Sequence, residues 1–178
     1  PKGIGALIID KKLPIDAFIR GGGHESGLRS GTENVASIVG FGVAAELAAE
    51  TTKDYDAQLG IMRDEIESQL ACLGAVIHGG GSSRLGNTSY FSIPGIQGET
   101  LVMELNKSGF SVASGSACSS HGGDSSETLK AMGVSEELAH GAVRLSLGLD
   151  NTMEECEMFN ASLKVIVSKL KDLVLLTV

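Results

Sequence analysis

The hydrophobic and polar positions follow two different periods along the chain. Short apolar or alternating runs, bounded by Gly, Pro or charged residues, predict strands. These runs lie at residues 4–10 (IGALIID), 75–78 (AVIH), 87–93 (NTSYFSI), 110–112 and 142–147 (AVRLSL). Apolar spacings of three and four, or Ala-rich stretches behind capping residues, predict helices. These helices are expected at 35–50, 54–72, 98–107, 125–132, 136–140 and 152–174.

The ends and boundaries of these elements also follow from residue type. Asn34 is expected to cap the first helix, and Asp150 or Asn151 the last one. A weak boundary is predicted at residues 50–53 (ETTK), between the first two helices. The mixture of strands and helices predicts an α/β or α+β fold.

Composition narrows the class of protein. The chain has 178 residues, 42% hydrophobic and 20% charged, which is normal for a globular protein. Its formal net charge of −8 argues against nucleic-acid or membrane-surface partners held by bulk electrostatics. No apolar run is expected to reach the roughly 18 residues of a membrane span. The first residues do not resemble a signal or transit peptide.

The three cysteines, Cys72, Cys118 and Cys156, lie far apart and form no CxxC motif. That spacing is typical neither of a disulfide framework nor of a zinc site, so no metal is expected. A reducing compartment, the cytoplasm or an organellar matrix, is the predicted location.

The first candidate motif is the glycine-rich stretch 21–32 (GGGHESGLRSGT). Backbone N–H groups can approach an anion where side chains are absent, so a phosphate cradle is one interpretation. A flexible surface loop is the other, because the stretch matches neither the P-loop nor the GxGxxG pattern. Thr32 keeps the anion interpretation open, because a hydroxyl just before a helix start suits a phosphate.

The second motif is 114–123 (SGSACSSHGG), in which Cys118 lies among small polar residues. Such neighbours argue against a buried core thiol, and an exposed thiol is available as a nucleophile once deprotonated. His121, three residues later, is a candidate base, although such a Cys and His pair is more often coincidental.

The third motif is AVRLSLG, in which Arg144 interrupts an apolar strand. The side chain either faces solvent on a one-sided strand or clamps a carboxylate with its planar guanidinium.

Taken in order, four segments closely resemble the C-terminal half of cysteine desulfurases of the NifS/IscS type. They are GGGHESGLRSGTENV, NTSYFSIPGIQGETLVMEL, SVASGSACSS and LKAMGVSEELAHGAVRLSLG. The resemblance runs over nearly the whole chain, and it implies an α/β chain with an α+β small domain. This would be the C-terminal part of a fold-type-I transferase that depends on pyridoxal 5′-phosphate.

The resemblance implies a role for each candidate residue. Cys118 matches the nucleophile that takes sulfur from L-cysteine as a persulfide and leaves alanine. Arg144 matches the arginine that holds the substrate carboxylate, and Thr32 the threonine that reaches the cofactor phosphate of the other subunit. Asn87 matches a family asparagine near the active site. The implied partners are L-cysteine, a second copy of the chain in a homodimer, and a sulfur-acceptor or scaffold protein, for example in iron–sulfur cluster assembly.

The chain departs from the family pattern in three places. The family's Schiff-base lysine lies just before the segment that matches Pro1, so Lys2 is not assigned that role. This chain is therefore expected to need the N-terminal portion of the enzyme for activity. Ser26 stands where relatives have Arg, and the stretch after Cys118 is richer in glycine.

The resemblance also implies a division of the chain. Residues 1–50 would be the tail of the large cofactor-binding domain, and residues 51–178 the small domain that carries the nucleophile. Without the large domain, residues 1–50 are expected to expose apolar surface and an unpaired strand edge.

Two other functions remain open at this point. One is a docking or dimerisation module without turnover, although such a module would not need Thr32, Cys118 and Arg144 together. The other is a selenocysteine lyase or a related pyridoxal-phosphate-dependent lyase.

Overall fold

The computed structural model describes residues 2–115 and 126–175. It divides the chain into two compact units, Pro1–Lys53 and Asp54–Val178. Helix α1 (Val35–Cys72) passes through this division. The other elements all lie in the second unit, in the order β1 (Val76–Ile77), β2 (Thr88–Ser92), α2 (Gly98–Lys107), β3 (Ala113–Ser114), α3 (Glu127–Ala131), α4 (Glu136–His140), β4 (Ala142–Ser146) and α5 (Met153–Leu175).

The four strands form one antiparallel sheet in the order β1-β2-β4-β3. Phe91, Val143 and Leu145 point to one face, because alternate residues of a strand face opposite sides. They are buried there with apolar side chains from α1, α2 and α5, including Ile66, Leu105 and Leu163. This face forms the main core of the second unit.

The opposite face of the sheet has a smaller core. Ala142 of β4 is buried there against Leu129 of α3 and Ala139 of α4, with Tyr90 of β2 packed alongside. The sheet therefore has helices on both faces, as expected for a layered α/β arrangement.

The predicted amphipathic pattern of residues 54–72 is confirmed, because Leu59, Met62, Ile66 and Leu70 are all buried in the main core. The two helices predicted at 35–50 and 54–72 are instead one helix, although the compact units do divide at Lys53, beside the predicted boundary. No Gly or Pro lies between Val43 and Leu59, and the hydroxyls of Thr51 and Thr52 bond to the carbonyls of Leu47 and Ala48 within the helix. One helix therefore runs from Val35 to Cys72.

Two predicted strands differ from the structure. Residues 4–10 are irregular, because no strand in the described part of the chain pairs with them. The strand predicted at 110–112 lies instead at Ala113–Ser114, while Phe110 and Val112 pack against the main core. The predicted strands at 75–78, 87–93 and 142–147 are present in shorter form.

The helix caps show one success and one error. The Asn34 side chain accepts a hydrogen bond from the Ser37 N–H (3.2 Å), which confirms the predicted cap of α1. The cap of α5 is Thr152 rather than Asp150 or Asn151. Its hydroxyl accepts from the Glu155 N–H (3.2 Å), and the Glu155 carboxylate accepts from the Thr152 N–H (3.0 Å). This reciprocal pair is a capping box.

The first unit has almost no core of its own. Among residues 2–52, Ser30 is the one buried side chain, whereas Ile8 is 95% and Phe18 99% exposed. The prediction that this segment exposes apolar surface is therefore confirmed.

Residues 35–52 also correct the membrane statement of the sequence analysis. By length and composition alone, this window could cross a membrane, with a mean hydropathy of 1.3. The window is not an uninterrupted apolar run, because it includes Gly, Ser, Thr and Glu. None of the residues in this window is buried in the described structure.

Candidate active site

Arg144 lies near the middle of β4 on the sheet face opposite the main core. Its neighbours Val143 and Leu145 are buried, whereas Arg144 itself is exposed. Within residues 2–115 and 126–175, its guanidinium has no hydrogen-bonded or ion-paired partner. The strand thus presents a planar cation that is available to an anion such as a carboxylate.

Tyr90 and Ala113 flank Arg144 in the sheet. Tyr90 of β2 and Ala113 of β3 are its direct cross-strand partners, so all three side chains share one face. Two residues after Ala113, the Gly115 N–H donates to the Ala142 carbonyl (2.8 Å). This bond fixes the last residue before the segment 116–125.

Ser126, the first described residue after that segment, is also held by a hydrogen bond. The Ser126 hydroxyl accepts a hydrogen bond from the Leu129 N–H (3.4 Å) and caps α3. Leu129 is buried against Ala142, the residue whose carbonyl holds Gly115. Gly115 and Ser126 therefore both lie beside the same small core, on the face that carries Arg144. The predicted nucleophile Cys118 and its neighbour His121 lie outside the described residues.

His78 is a residue that the sequence analysis did not assign. It follows β1, is 8% exposed, and its Nε2 lies 2.7 Å from the Ser92 hydroxyl. That hydroxyl donates to the Leu138 carbonyl of α4 (2.6 Å). Burial lowers the pKa of His78 below its usual value. A histidine at the end of an apolar strand, just before three glycines, was the signal available in the sequence.

Asn87 lies immediately before β2. Its backbone carbonyl accepts from the Leu147 N–H (2.7 Å), and its side-chain oxygen accepts from the Thr88 hydroxyl (3.0 Å). Asn87 is three residues from Tyr90, the partner of Arg144, or about 10 Å along the strand. The structure thus places Asn87 on the sheet of Arg144 but not beside it.

Thr32 belongs to the first unit, where it is exposed just before α1. The loop before it folds back on itself, because the Ser30 hydroxyl donates to the Gly22 carbonyl (2.7 Å). His24 pairs with Glu33 (2.8 Å), and that contact holds the pKa of Glu33 below its usual value. The N–H groups of Val35 and Ser37 already bond within the segment. These two N–H groups are therefore not available, together with the Thr32 hydroxyl, to bind a phosphate.

The two other cysteines differ from each other. Cys72 is exposed at the end of α1, whereas Cys156 of α5 is buried. Burial, with a further contribution from Glu155, raises the pKa of the Cys156 thiol. Among the described residues, no group of three or more His, Cys, Asp and Glu side chains is placed to hold a metal ion.

The fold and the site together define a mixed α/β chain, whose antiparallel sheet carries a guanidinium that is unpaired among the described residues. Residues 1–159 match the family model for class-V aminotransferases. The chain therefore belongs to the class-V aminotransferase family, as the sequence resemblance predicted.

The curated relatives agree with this assignment. The chain is 38% identical over 175 residues to a cysteine desulfurase of Gluconacetobacter diazotrophicus, covering 97% of this chain and 44% of that protein. It is 40% identical over 178 residues to the cysteine desulfurase IscS of Methanosarcina thermophila, covering 99% and 44%. The chain thus spans less than half of the length of these relatives.

Solved structures show the same fold. A NifS-like protein matches with a TM-score of 0.69 at 38% identity, over 90% of this chain and 41% of that one. A NifS-like protein from Rickettsia africae matches with a TM-score of 0.70 at 30% identity, over 88% and 41%. These neighbours confirm the predicted fold class, an α/β part of a fold-type-I pyridoxal-phosphate-dependent enzyme.

Proposed function

We propose that this chain is the sulfur-accepting part of a cysteine desulfurase that converts L-cysteine to alanine and delivers the sulfur as a persulfide. The observation that carries the proposal is the position of Arg144. Among the described residues its guanidinium has no partner, and it shares a sheet face with Gly115 and Ser126, the described residues on either side of Cys118. Relatives that cover nearly the whole chain are named cysteine desulfurases, which supports the same function.

In this proposal Arg144 binds the substrate carboxylate and Cys118 accepts the sulfur. The Cys118 thiolate attacks the sulfur of the substrate, a sulfur–sulfur bond forms, and the substrate carbon–sulfur bond breaks. The proton of the substrate thiol ends on the substrate carbon, which gives alanine and a persulfide anion on Cys118. Atoms and charge balance without an external oxidant or reductant.

The cofactor implied by the family is pyridoxal 5′-phosphate, which when bound supplies an electron sink for the substrate carbon. Two residues of this chain are suited to contact that cofactor or its substrate. The exposed Thr32 hydroxyl beside the start of α1 suits its phosphate, and Arg144 suits the carboxylate of the substrate. We propose that the remaining contacts come from sequence that the relatives have in the part this chain does not cover.

Partners and location follow from the same proposal. The exposed apolar side chains of the first unit, such as Ile8 and Phe18, support association with the rest of the enzyme and with a second copy. A protein acceptor must then take the sulfur from Cys118, for example for iron–sulfur cluster assembly. Because the role of Cys118 requires a free thiol, we place the chain in a reducing compartment, the cytoplasm or an organellar matrix.

The test is a chimera in which this chain replaces the matching part of the Gluconacetobacter diazotrophicus enzyme. We expect alanine and protein-bound persulfide to form from L-cysteine. Cys118→Ser should abolish both products, whereas the matched change Cys72→Ser should leave them intact, because Cys72 is exposed at the end of α1. Co-expression of residues 1–178 with the rest of the relative as a separate chain provides a second format.

The outcomes separate the alternatives. A folded chimera whose alanine production survives Cys118→Ser would contradict the proposal. Turnover of selenocysteine without turnover of cysteine would indicate a selenocysteine lyase. Partner binding with no turnover of either amino acid would indicate a docking module.

A further inference from the structure

We propose that His78 is a positioning residue for Gly115 and Ser126, the two described residues on either side of the predicted nucleophile. It supports them from the same sheet face that carries Tyr90 and Arg144. The inference rests on the proposed function for its catalytic consequence, but its structural part can be tested without turnover.

The first step is the hydrogen bond between His78 and Ser92. The Ser92 hydroxyl gives its one proton to the Leu138 carbonyl (2.6 Å), so it accepts the bond from His78. His78 Nε2 (2.7 Å away) therefore carries the proton. Both side chains are buried, so neither group can exchange this bond for one to bulk water.

The second step leads from His78 to Gly115. The backbone N–H of His78 donates to the Tyr90 carbonyl (2.7 Å), and the two side-chain rings meet edge to face with centroids 5.6 Å apart. The Tyr90 hydroxyl in turn packs against Gly115. The Tyr90 side chain thus lies between His78 and Gly115.

The third step leads from His78 to Ser126. Through Ser92, His78 holds the Leu138 carbonyl of α4, whose next residue, Ala139, is buried against Leu129 of α3. Leu129 bonds to the Ser126 hydroxyl that caps α3. A loss of the His78 bond would therefore loosen α4 and α3 together with Ser126.

Neither contact is needed for the main core, which lies on the other face of the sheet. Removal of the His78 donor should therefore change the small core, Gly115 and Ser126 more than the rest of the second unit. The loss of a buried hydrogen bond of this kind costs free energy, because the remaining partner stays desolvated.

The test uses the full chain and amide hydrogen exchange. His78→Leu should raise the exchange rates of the Gly115 and Ala139 amides about tenfold or more, because a buried polar partner is left unsatisfied. The Leu101 amide, which bonds to the Gln97 carbonyl in α2, should change less than twofold. Ser92→Ala removes the same bond and should give the same pattern, which guards against a folding failure of the leucine variant.

His78→Gln is the conservative variant. The glutamine side-chain amide can place an N–H donor where Nε2 lies, so it should restore slow exchange at Gly115 and Ala139. In the active chimera, His78→Leu should lower kcat about tenfold and change the KM for L-cysteine less than twofold, and His78→Gln should recover most of the rate.

The outcomes are separable from those of the proposed function. Equal exchange changes at Leu101 and Gly115, or no rescue by glutamine, would overturn the role of His78 whether or not the chimera is active. A chimera without desulfurase activity would overturn the proposed function and leave the exchange result standing.

Discussion

Tyr90 of β2 and Gly115 after β3 are in such close contact that no side chain fits between them. A Cβ atom at residue 115 would lie 2.6 Å from the Tyr90 hydroxyl oxygen and 3.0 Å from the Ala142 Cβ. The φ angle of Gly115 is not in the positive region that favours glycine. Close packing, rather than backbone conformation, therefore explains why a glycine is needed here.

This contact predicts that Gly115→Ala destabilises the chain by about 1–3 kcal/mol through overpacking. Urea unfolding of the full chain measures the change. Gly81→Ala is the matched control, since nothing lies within 4 Å of a Cβ there, and should change the free energy of unfolding by less than about 0.5 kcal/mol. Adding Tyr90→Phe to Gly115→Ala should recover part of the loss, and no recovery would contradict the assigned contact.

The sequence predicted those parts of the fold that have a strong local period. Leu59, Met62, Ile66 and Leu70 are spaced for one helix face, and each is buried. The continuous helix through residues 50–53 was harder to predict, because threonine is a weak helix former. In the structure the hydroxyls of Thr51 and Thr52 donate to carbonyl groups of the preceding helical turn. Residues 4–10 have the composition of a strand, but pairing depends on a neighbour rather than on the segment itself.

The residues of the candidate site, likewise, could be predicted from the sequence only in part. Arg144 stood out because a charge interrupts an apolar strand, and its exposure on β4 is what alternation allows. His78 could not be assigned, because its partners Ser92 and Leu138 are distant in sequence. The roles of Thr32, Asn87, Cys118 and Arg144 remain predictions.

The buried His78 predicts a pH-dependent stability. Burial lowers its pKa in the folded chain, so the unfolded chain binds a proton more readily. The free energy of unfolding should be level above about pH 6.5, the unfolded value, and should fall as the pH drops from there through the lower folded pKa. The slope for one proton is at most about 1.4 kcal/mol per pH unit.

Urea unfolding between pH 8 and pH 5 measures this dependence. His78→Gln should remove the slope in this range, whereas His140→Gln should keep it, because His140 is only half-buried. Equal slopes in the wild-type chain and the His78→Gln variant would show that another group is responsible.

Arg84 and Glu67 form a two-pronged ion pair between α1 and the loop before β2. The two nitrogen–oxygen distances are 2.9 and 2.6 Å, and Arg84 also donates to the Thr88 carbonyl (3.0 Å). This contact raises the pKa of Arg84 further. Arg84→Lys keeps the charge but cannot reproduce the fork geometry, so it should cost about 1–2 kcal/mol.

Thermal or urea unfolding tests this value, with Lys107→Arg as the matched control. Lys107 pairs with Glu104 at 2.6 Å on the exposed surface of α2, and such pairs contribute little to stability. A larger loss for the Lys107 variant than for the Arg84 variant would contradict the importance of the fork.

The exposed first unit predicts self-association. Ile8 and Phe18 are almost fully exposed, so replacing both with Ser should reduce light scattering and leave the free energy of unfolding within about 0.5 kcal/mol. Residues 1–50 should be protected from hydrogen exchange only when a partner or second copy covers them. A well-behaved monomer with this segment fully protected would be the contrary result.

Arg144 provides the last prediction, which concerns the chimera. If its guanidinium binds the substrate carboxylate through two bonds, Arg144→Lys should raise the KM for L-cysteine about tenfold or more, since bonds to charged groups contribute roughly 1.5–3 kcal/mol. Arg63→Lys is the matched control, because Arg63 bonds to Asp64 and to the Leu85 carbonyl rather than lying on the sheet face. It should leave KM within twofold, so equal KM values for the two variants would remove Arg144 from the substrate site.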